Sequence, residues 1–389
     1  MKALIFDKVK TKWEESVGFE LVDIAEPVLD EANPPAGGLS DANYVILKVH
    51  YAGICGTDRG IWNRQAFKEQ ILSSIDQEGK TYRQLGHEFF GEVVKVGSSV
   101  KDFKPGDMAA CESHVVCNQC FQCLNGQKEV CINEKILGIS HDGGFAEFAK
   151  VPAQVLWKTD VNKIRPEVAA MQEPFGNAVH AASKVDLKGK TVAIFGLGPI
   201  AAFLILIVKG LGAKTIIGIE PNDKALEMGK QLGVDHFIKL SVDSKQNTEK
   251  PYAHNQEVID QIMKLTGGLG VDVAFEMAGF NNSVNNSIAA VRRGGDVILF
   301  GLKTGDFVLE NYNRLIMKGV TMHCVAGRQI WGTWEITKRL IENKENGVQE
   351  KLFNIILNRG KDTILPIGEY SKEKFEDMMQ KHSKFLIKF

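Results

Sequence analysis

Residues 190–201 read KTVAIFGLGPIA, and this stretch decides the fold. The β-branched apolar run at 191–195 predicts a buried strand, the glycines after it predict a tight turn, and the apolar residues 199–211 predict a helix. A second apolar strand follows at 214–219. Strand, helix and strand at this spacing make a βαβ unit, whose two strands are parallel.

Buried strand patterns recur at 271–276 and 296–301. They predict a Rossmann domain, a doubly wound parallel sheet of the α/β class, over residues 176–330. The chain before it is rich in strand patterns, and the last sixty residues return to short mixed elements. We therefore expect a β-rich first domain in two pieces, residues 1–175 and 331–389, with the parallel-sheet domain inserted between them.

The turn inside the opening stretch fits the dinucleotide-binding pattern G-x-G-x-x-G/A. Gly196 permits the tight turn, Gly198 lets a pyrophosphate approach the backbone, and Ala201 keeps the helix close to the strand. The helix begins at Pro199 and Ile200, and its N-terminus faces the phosphates. The glycines coincide with a strand, a helix and a later acidic residue, so the sequence predicts a bound dinucleotide.

Glu220 is that acidic residue, at the end of the second strand. Its carboxylate would accept hydrogen bonds from the adenosine ribose hydroxyls and would repel a 2′-phosphate, which favours NAD over NADP. Lys224 is close enough to weaken that preference a little. The alternative is that Glu220 is a solvated acid at a strand end.

Four cysteines lie within fifteen residues, at Cys117, Cys120, Cys123 and Cys131. Their spacing lets one loop wrap four thiolates around a tetrahedral ion, which is how closed structural zinc sites are built. One alternative is a set of small buried hydrophobic residues. Another is a disulfide framework, which is typical of small secreted chains and not of one with 389 residues. The spacing favours zinc.

Two further segments have the residue types of an open zinc site. GICGTD at 53–58 places Cys55 just after a strand, and GHE at 86–88 places His87 at the end of a loop. A catalytic site needs about three protein ligands and leaves one position for substrate. Taken alone, either residue can equally be a packed core residue.

On these motifs the chain resembles the zinc-dependent medium-chain alcohol dehydrogenases over nearly its whole length. Within that superfamily it is most similar to the L-threonine 3-dehydrogenases. The segments that carry this second likeness are ESH at 112–114, QEPFGNAVH at 172–180, GR at 327–328 and TW at 333–334.

The resemblance implies a GroES-like β-rich catalytic domain beside the Rossmann domain, with two zinc ions per chain, one catalytic and one structural. It implies that Glu173 completes the catalytic site with Cys55 and His87, and that Glu88 is a nearby carboxylate able to exchange with water or substrate on the metal. The alternative for Glu173 is an acid at a helix N-terminus, where the helix dipole favours it.

The implied reaction is hydride transfer from a secondary alcohol to NAD, with zinc as the Lewis acid that activates the hydroxyl. Thr57 is placed to pass on the released proton, or else it caps a turn. Asp58 is expected to fix its loop. By the resemblance, His114 and Arg328 face the substrate, Arg328 as the partner of a carboxylate. Otherwise Arg328 lies near the cofactor or forms a surface ion pair.

The chain departs from the threonine dehydrogenase pattern at Gly60, where that family usually carries a histidine of the proton relay. The hydrophilic insertion at 65–84, expected to be a surface loop, differs as well. A sugar or polyol dehydrogenase acting on glucose, sorbitol or inositol is therefore the alternative enzyme. A third hypothesis, from another class, is a non-catalytic nucleotide-binding protein.

Lys and Arg total 47 against 48 Asp and Glu, a formal net charge of −1. This balance gives no reason to expect nucleic acid or an anionic membrane as a partner. The longest apolar run, 198–208, is too short to span a bilayer, and the first residues read as a strand and not as a leader. We expect a cytoplasmic homo-oligomer, a tetramer or dimer, that acts on a small-molecule alcohol.

Overall fold

The computed structural model describes residues 1–32, 40–240, 250–302 and 305–389. The chain forms two compact units. The first unit holds Met1–Pro174, Lys338–Lys344 and Leu352–Phe389, and the second holds Phe175–Thr337 and Glu345–Lys351. Among the described helices, none has both the length and the apolar character needed to cross a lipid bilayer.

The described strands are β1 (Lys2–Asp7), β2 (Glu20–Asp23), β3 (Tyr44–Gly53), β4 (Tyr82–Gln84), β5 (Glu88–Val96), β6 (Met108–Cys111), β7 (His114–Val115), β8 (Lys135–Ile136), β9 (Phe148–Pro152), β10 (Leu156–Lys158), β11 (Thr191–Phe195), β12 (Thr215–Glu220), β13 (His236–Lys239), β14 (Val271–Glu276), β15 (Val291–Leu299), β16 (Thr321–Cys324), β17 (Ile364–Pro366) and β18 (Leu386–Lys388). The described α-helices are α1 (Gly56–Trp62), α2 (Lys68–Gln77), α3 (Phe121–Leu124), α4 (Pro166–Ala169), α5 (Gln172–Ala182), α6 (Pro199–Gly210), α7 (Asp223–Leu232), α8 (Gln256–Leu265), α9 (Asn281–Ala290), α10 (Tyr312–Lys318), α11 (Gly332–Glu342), α12 (Val348–Lys351) and α13 (Lys372–Lys381).

The second unit contains a six-stranded sheet in the order β13-β12-β11-β14-β15-β16, with every neighbouring pair parallel. This is the 3-2-1-4-5-6 order of a Rossmann sheet, so the predicted fold class is confirmed. Phe195 pairs with both Ile219 and Glu276. The carboxyl ends of the three central strands therefore lie at one edge, where such sheets bind their ligands.

The first unit contains a seven-stranded sheet, mostly antiparallel, in the order β10-β6-β5-β3-β18-β17, with β9 also paired to β3. Smaller sheets join β2-β1-β4 and β7-β8. The pairing of β3 with β5 sets Gly53 opposite Glu88. Because the strands are antiparallel, the residues that follow β3 lie beside those that precede β5. The register thus brings the two predicted metal-binding segments together.

An aromatic cluster holds the ends of the first unit in one core. Trp62 of α1 stacks on Phe375 of α13, with ring centroids 4.7 Å apart, and Phe19 meets both rings edge-on. All three side chains are almost fully buried. The C-terminal helix is therefore packed against the helix that begins at the metal-binding segment.

The insertion at 65–84 is not the surface loop expected from its composition, and that prediction is wrong. It contains α2, in which Ile71 and Ile75 are fully buried. These residues are four positions apart and so lie on one helical face, which packs into the core of the first unit. The polar residues on both sides of this pair, KEQ at 68–70 and DQEGK at 76–80, hid the spacing.

Candidate metal centres and dinucleotide site

The segments after β3 and before β5 deliver a compact set of metal-binding groups. The ligand atoms of Cys55, His87 and Glu88 all lie within 4.8 Å of one another. Cys55 is the N-cap of α1, and its backbone N–H donates to Asp58 Oδ2 at 2.8 Å. Asp58 is fully buried and fixes the turn that carries Cys55, which is the role expected from the sequence.

His87 sits in a strongly anionic environment. Burial disfavours its charged form, yet the pKa of His87 is raised to about 10, because Asp58, Cys55 and Glu173 surround it with negative charge. Asp58 Oδ1 lies 3.5 Å from His87 Nδ1. Burial raises the pKa of Asp58 to about 6, so part of this negative charge is itself disfavoured, and a bound metal cation would stabilise it.

The donor set fits zinc. Thiolate, imidazole and carboxylate are the groups that zinc sites use. Glu88 Oε1 is buried and makes no hydrogen bond to the described residues, so an acceptor is left over at the site. Glu173, at the start of α5, is buried and lies outside the compact set, although its charge acts on His87. Thr57 is half-buried in the first turn of α1.

Lys384 was not identified from the sequence, yet it contacts the metal-binding segments. Its ammonium pairs with Glu88 and donates to the carbonyl oxygen of Ile54 at 3.1 Å. Both charged side chains are about 1% exposed. Arg59 holds the same C-terminal segment by donating to the carbonyl oxygen of His382 at 2.6 Å. No motif marks Lys384, because its position depends on β18 pairing with β3.

The four lobe cysteines also lie with all their sulfur atoms within 4.8 Å of one another. Cys131 Sγ is 3.5 Å from Cys117 Sγ and 3.8 Å from Cys120 Sγ. Four sulfurs at about 2.3 Å from a tetrahedral zinc ion would be about 3.8 Å apart. A disulfide needs a sulfur–sulfur distance of about 2.05 Å. All the cysteines lie in described parts of the chain, and none of them forms a disulfide.

Backbone groups in the lobe favour thiolates. The N–H groups of Gln119 and Cys120 point at Cys117 Sγ, from 3.5 and 3.3 Å. These hydrogen bonds lower the pKa of Cys117 to about 6. The lobe therefore fits a structural zinc ion in its distances, and Cys117 favours the thiolate form that zinc needs, whereas burial raises the pKa of Cys123 and Cys131.

The dinucleotide turn has the geometry its sequence requires. Gly196 has φ +88°, and a Cβ there would come within 2.8 Å of the Ala278 side chain, so only glycine fits without strain. A Cβ on Gly198 would meet nothing within 4 Å, which leaves open space over the backbone for a pyrophosphate. Pro199 occupies the first turn of α6, next to Ile200, and Ala201 is buried against the sheet.

Glu220 lies at the end of β12 and braces the dinucleotide turn. Its two carboxylate oxygens accept from the backbone N–H groups of Leu197 at 2.8 Å and Asn222 at 3.0 Å. Each oxygen keeps a further lone pair for a ribose hydroxyl. Lys224 is exposed in the first turn of α7, whose N-cap is Asn222.

The two residues expected to face a substrate are both fixed in place. Arg328 is 2% exposed and donates to the side-chain oxygen of Asn177 at 2.9 Å, so the alternative of a surface ion pair is wrong. His114 begins β7, and its Nδ1 lies 2.7 Å from Glu134 Oε2.

The position of Gly60 has no room for the relay histidine that threonine dehydrogenases usually carry there. A Cβ at this position would lie 2.9 Å from the Cβ of Ala66, at the start of the segment that leads into α2. Any side chain at residue 60 therefore requires that segment to move. The insertion and the glycine belong to one packing arrangement.

Residues 41–161 match the family described as the alcohol dehydrogenase GroES-like domain, and residues 199–343 match the family described as zinc-binding dehydrogenase. The chain is 36% identical to L-threonine 3-dehydrogenase of Pyrococcus horikoshii over 332 residues, 85% of this chain and 86% of the relative. It is 35% identical to L-threonine 3-dehydrogenase of Bacillus velezensis over 344 residues, 88% of each chain.

The fold is similar to that of solved dehydrogenases. The alcohol dehydrogenase from Thermus sp. ATN1 superposes with a TM-score of 0.77 at 22% identity, covering 100% of this chain and 99% of the other. The 2R,3R-butanediol dehydrogenase from Bacillus subtilis superposes with a TM-score of 0.76 at 23% identity, with the same coverage. At these identities the likeness is one of fold.

Proposed function

Because this chain belongs to the zinc-dependent medium-chain alcohol dehydrogenases, we propose that it oxidises the 3-hydroxyl of L-threonine, or of a similar 2-amino-3-hydroxy acid, with NAD as hydride acceptor. The observation that carries the reaction type is the convergence of Cys55, which is partly exposed, with the buried His87 and Glu88 in one cluster. The substrate class rests on the relatives, which are L-threonine 3-dehydrogenases over 85% or more of this chain.

Cys55, His87 and Glu173 would hold the catalytic zinc, with Glu88 as a further carboxylate near the metal. A bound zinc ion supplies a Lewis acid that lowers the pKa of an alcohol. Asp58 Oδ1 lies 3.5 Å from His87 Nδ1, and its negative charge would favour the ring orientation that leaves Nε2 toward the metal. Thr57 would carry the released proton away from the site. The non-catalytic hypothesis is not retained, because it predicts loss of these donors.

The second unit would bind NAD through residues 196–201, with the pyrophosphate over Gly198 and the N-terminus of α6. Glu220 would accept from the adenosine ribose and oppose a 2′-phosphate. Lys224 follows Glu220 by four residues, and its positive charge can reduce the repulsion between Glu220 and a 2′-phosphate. The cysteine lobe would hold the structural zinc. Thiol groups without disulfides suit the cytoplasm, where we place the protein.

The packing of Gly60 favours a second candidate, a sugar or polyol dehydrogenase. Steady-state rates with L-threonine, glucose, sorbitol and inositol, each with NAD, distinguish the two. We expect kcat/KM for threonine to exceed the values for the other three by at least about a hundredfold. A site built to bind an ammonium and a carboxylate group rejects compounds that lack both groups. Absence of threonine turnover in a preparation with two zinc ions per chain would remove this substrate.

We also propose that the chain self-associates into a dimer or tetramer. Phe121, Leu124 and Ile132 of the cysteine lobe are each 72–73% exposed. Clustered exposed apolar side chains mark interfaces more often than free surface.

Light scattering on the unsubstituted protein, the parent of the variants below, should give a multiple of the 43.0 kDa chain mass. Phe121→Ser with Leu124→Ser should give smaller species, whereas Leu269→Ser, a control at a residue 73% exposed in the second unit, should not. A parent that is monomeric contradicts the proposal.

A further inference from the structure

The neck of the cysteine lobe carries a paired histidine and glutamate. The chain enters the lobe through β7 and leaves it through β8, and His114 pairs with Ile136 across these strands. His114 precedes the first lobe cysteine by three residues, and Glu134 follows the last by three. His114 Nδ1 and Glu134 Oε2 are 2.7 Å apart, with side chains 17% and 30% exposed.

This contact selects one form of the imidazole. An ionised carboxylate only accepts hydrogen bonds, so Nδ1 must carry the proton that it donates to Glu134. In the neutral ring, Nε2 is then an acceptor. The backbone N–H of His114 donates to Glu112 Oε1 at 2.9 Å, which fixes the main chain beneath the ring. In its neutral form the ring thus has a defined tautomer as well as a defined position.

The register of β5 and β6 indicates at which end of the sheet His114 lies relative to the catalytic donors. β6 pairs with β5 so that Ala109 faces Gly91 and Ala110 faces Phe90. In an antiparallel pair each step forward in β6 is a step backward in β5. The residues that continue β6 toward His114 therefore run toward Glu88 and His87, at the start of β5.

We propose that Glu134 is a positioning residue for the substrate: it holds His114 so that Nε2 accepts a hydrogen bond from the α-ammonium group of a 2-amino-3-hydroxy acid. The inference rests on the proposed function. An imidazole whose free nitrogen can only accept suits a group that can only donate, and an ammonium is such a group. Because Glu134 lies just beyond Cys131, closure of the lobe around its ion would set the position of this carboxylate.

The test compares Glu134→Gln and Glu134→Asp with the parent. A glutamine amide can donate as well as accept, so it no longer selects the tautomer. We expect KM for L-threonine to rise about tenfold in Glu134→Gln with kcat changed less than threefold, which is the signature of lost binding energy. Glu134→Asp, which keeps the acceptor, should recover part of that loss. The exposed Asp102→Asn serves as a charge control.

A second measurement separates this role from a purely structural one. 3-Hydroxybutanoate carries the hydroxyl and carboxylate of threonine without the amino group, and its competitive inhibition constant needs no turnover. We expect Glu134→Gln to change that constant less than twofold, with zinc still at two ions per chain. An unchanged KM for threonine, equal losses for both compounds, or loss of zinc would each overturn the inference. A zinc-loaded parent that does not oxidise threonine overturns the proposed function, and this inference with it.

Discussion

Replacing Cys55 with alanine is expected to remove the oxidoreductase activity and leave the fold and NAD binding intact. The change deletes the thiolate from a set whose donors lie within 4.8 Å of one another. Lewis-acid stabilisation is worth several kcal/mol, and each 1.4 kcal/mol is a factor of ten in rate, so kcat/KM should fall about 10³-fold or more. Zinc content should drop from about two ions per chain to about one.

Two cysteine variants serve as controls. Cys324→Ala removes an exposed thiol in the second unit and should leave kcat and zinc unchanged. Cys120→Ser opens the lobe site and should lower the melting temperature and disturb assembly, because a closed zinc site contributes folding energy. If Cys55→Ala retained near-parental activity, the assignment of the catalytic metal would be wrong.

Local patterns predicted the first elements of the Rossmann domain well. The helix expected at 199–211 is α6 (Pro199–Gly210), and the strand expected at 271–276 is β14. The Rossmann turn is predictable because its glycines, strand and helix are contiguous in sequence. Gly196 needs a positive φ and Gly198 needs open space, and both requirements depend on a few neighbouring residues.

The catalytic cluster was only partly predictable. Each metal-binding segment has its own motif, but their contact follows from the register that sets Gly53 opposite Glu88. Register depends on the whole sheet and on its bulges, which one sequence does not reveal. Lys384 and Glu134 lie outside these motifs, because each contacts residues that are distant from it in sequence. The prediction of a surface loop at 65–84 failed for a related reason. The buried face of α2 packs on a core formed by distant segments of the chain.

The loss of Lys384 should show how far the C-terminal segment supports the metal site. Lys384→Met leaves Glu88 buried without its cationic partner and leaves the carbonyl oxygen of Ile54 without that donor. Breaking a buried pair from one side costs about 3–5 kcal/mol. We expect the free energy of unfolding, measured by urea denaturation of the zinc-free protein, to fall by about that amount.

Two comparisons isolate the buried pair. Lys381→Met, three residues earlier, removes one side of the exposed pair with Asp377 and should cost no more than about 0.5 kcal/mol. Glu88→Gln combined with Lys384→Met removes both charges and should recover much of the lost stability, since an uncharged pair leaves no buried ion uncompensated. If Lys384→Met and Lys381→Met lowered the free energy of unfolding equally, the proposed contribution of the buried Lys384–Glu88 pair would be wrong.

The same variant has a second expected effect, on the metal. With zinc present, Glu88 freed from Lys384 would be drawn to the metal and would compete with the substrate for it. Lys384→Met should therefore bind zinc at least as tightly as the parent while its kcat/KM falls, and Glu88→Gln in the same chain should restore part of the activity. Loss of zinc in Lys384→Met would instead mean that the lysine supports the metal ligands themselves through the carbonyl oxygen of Ile54, next to Cys55.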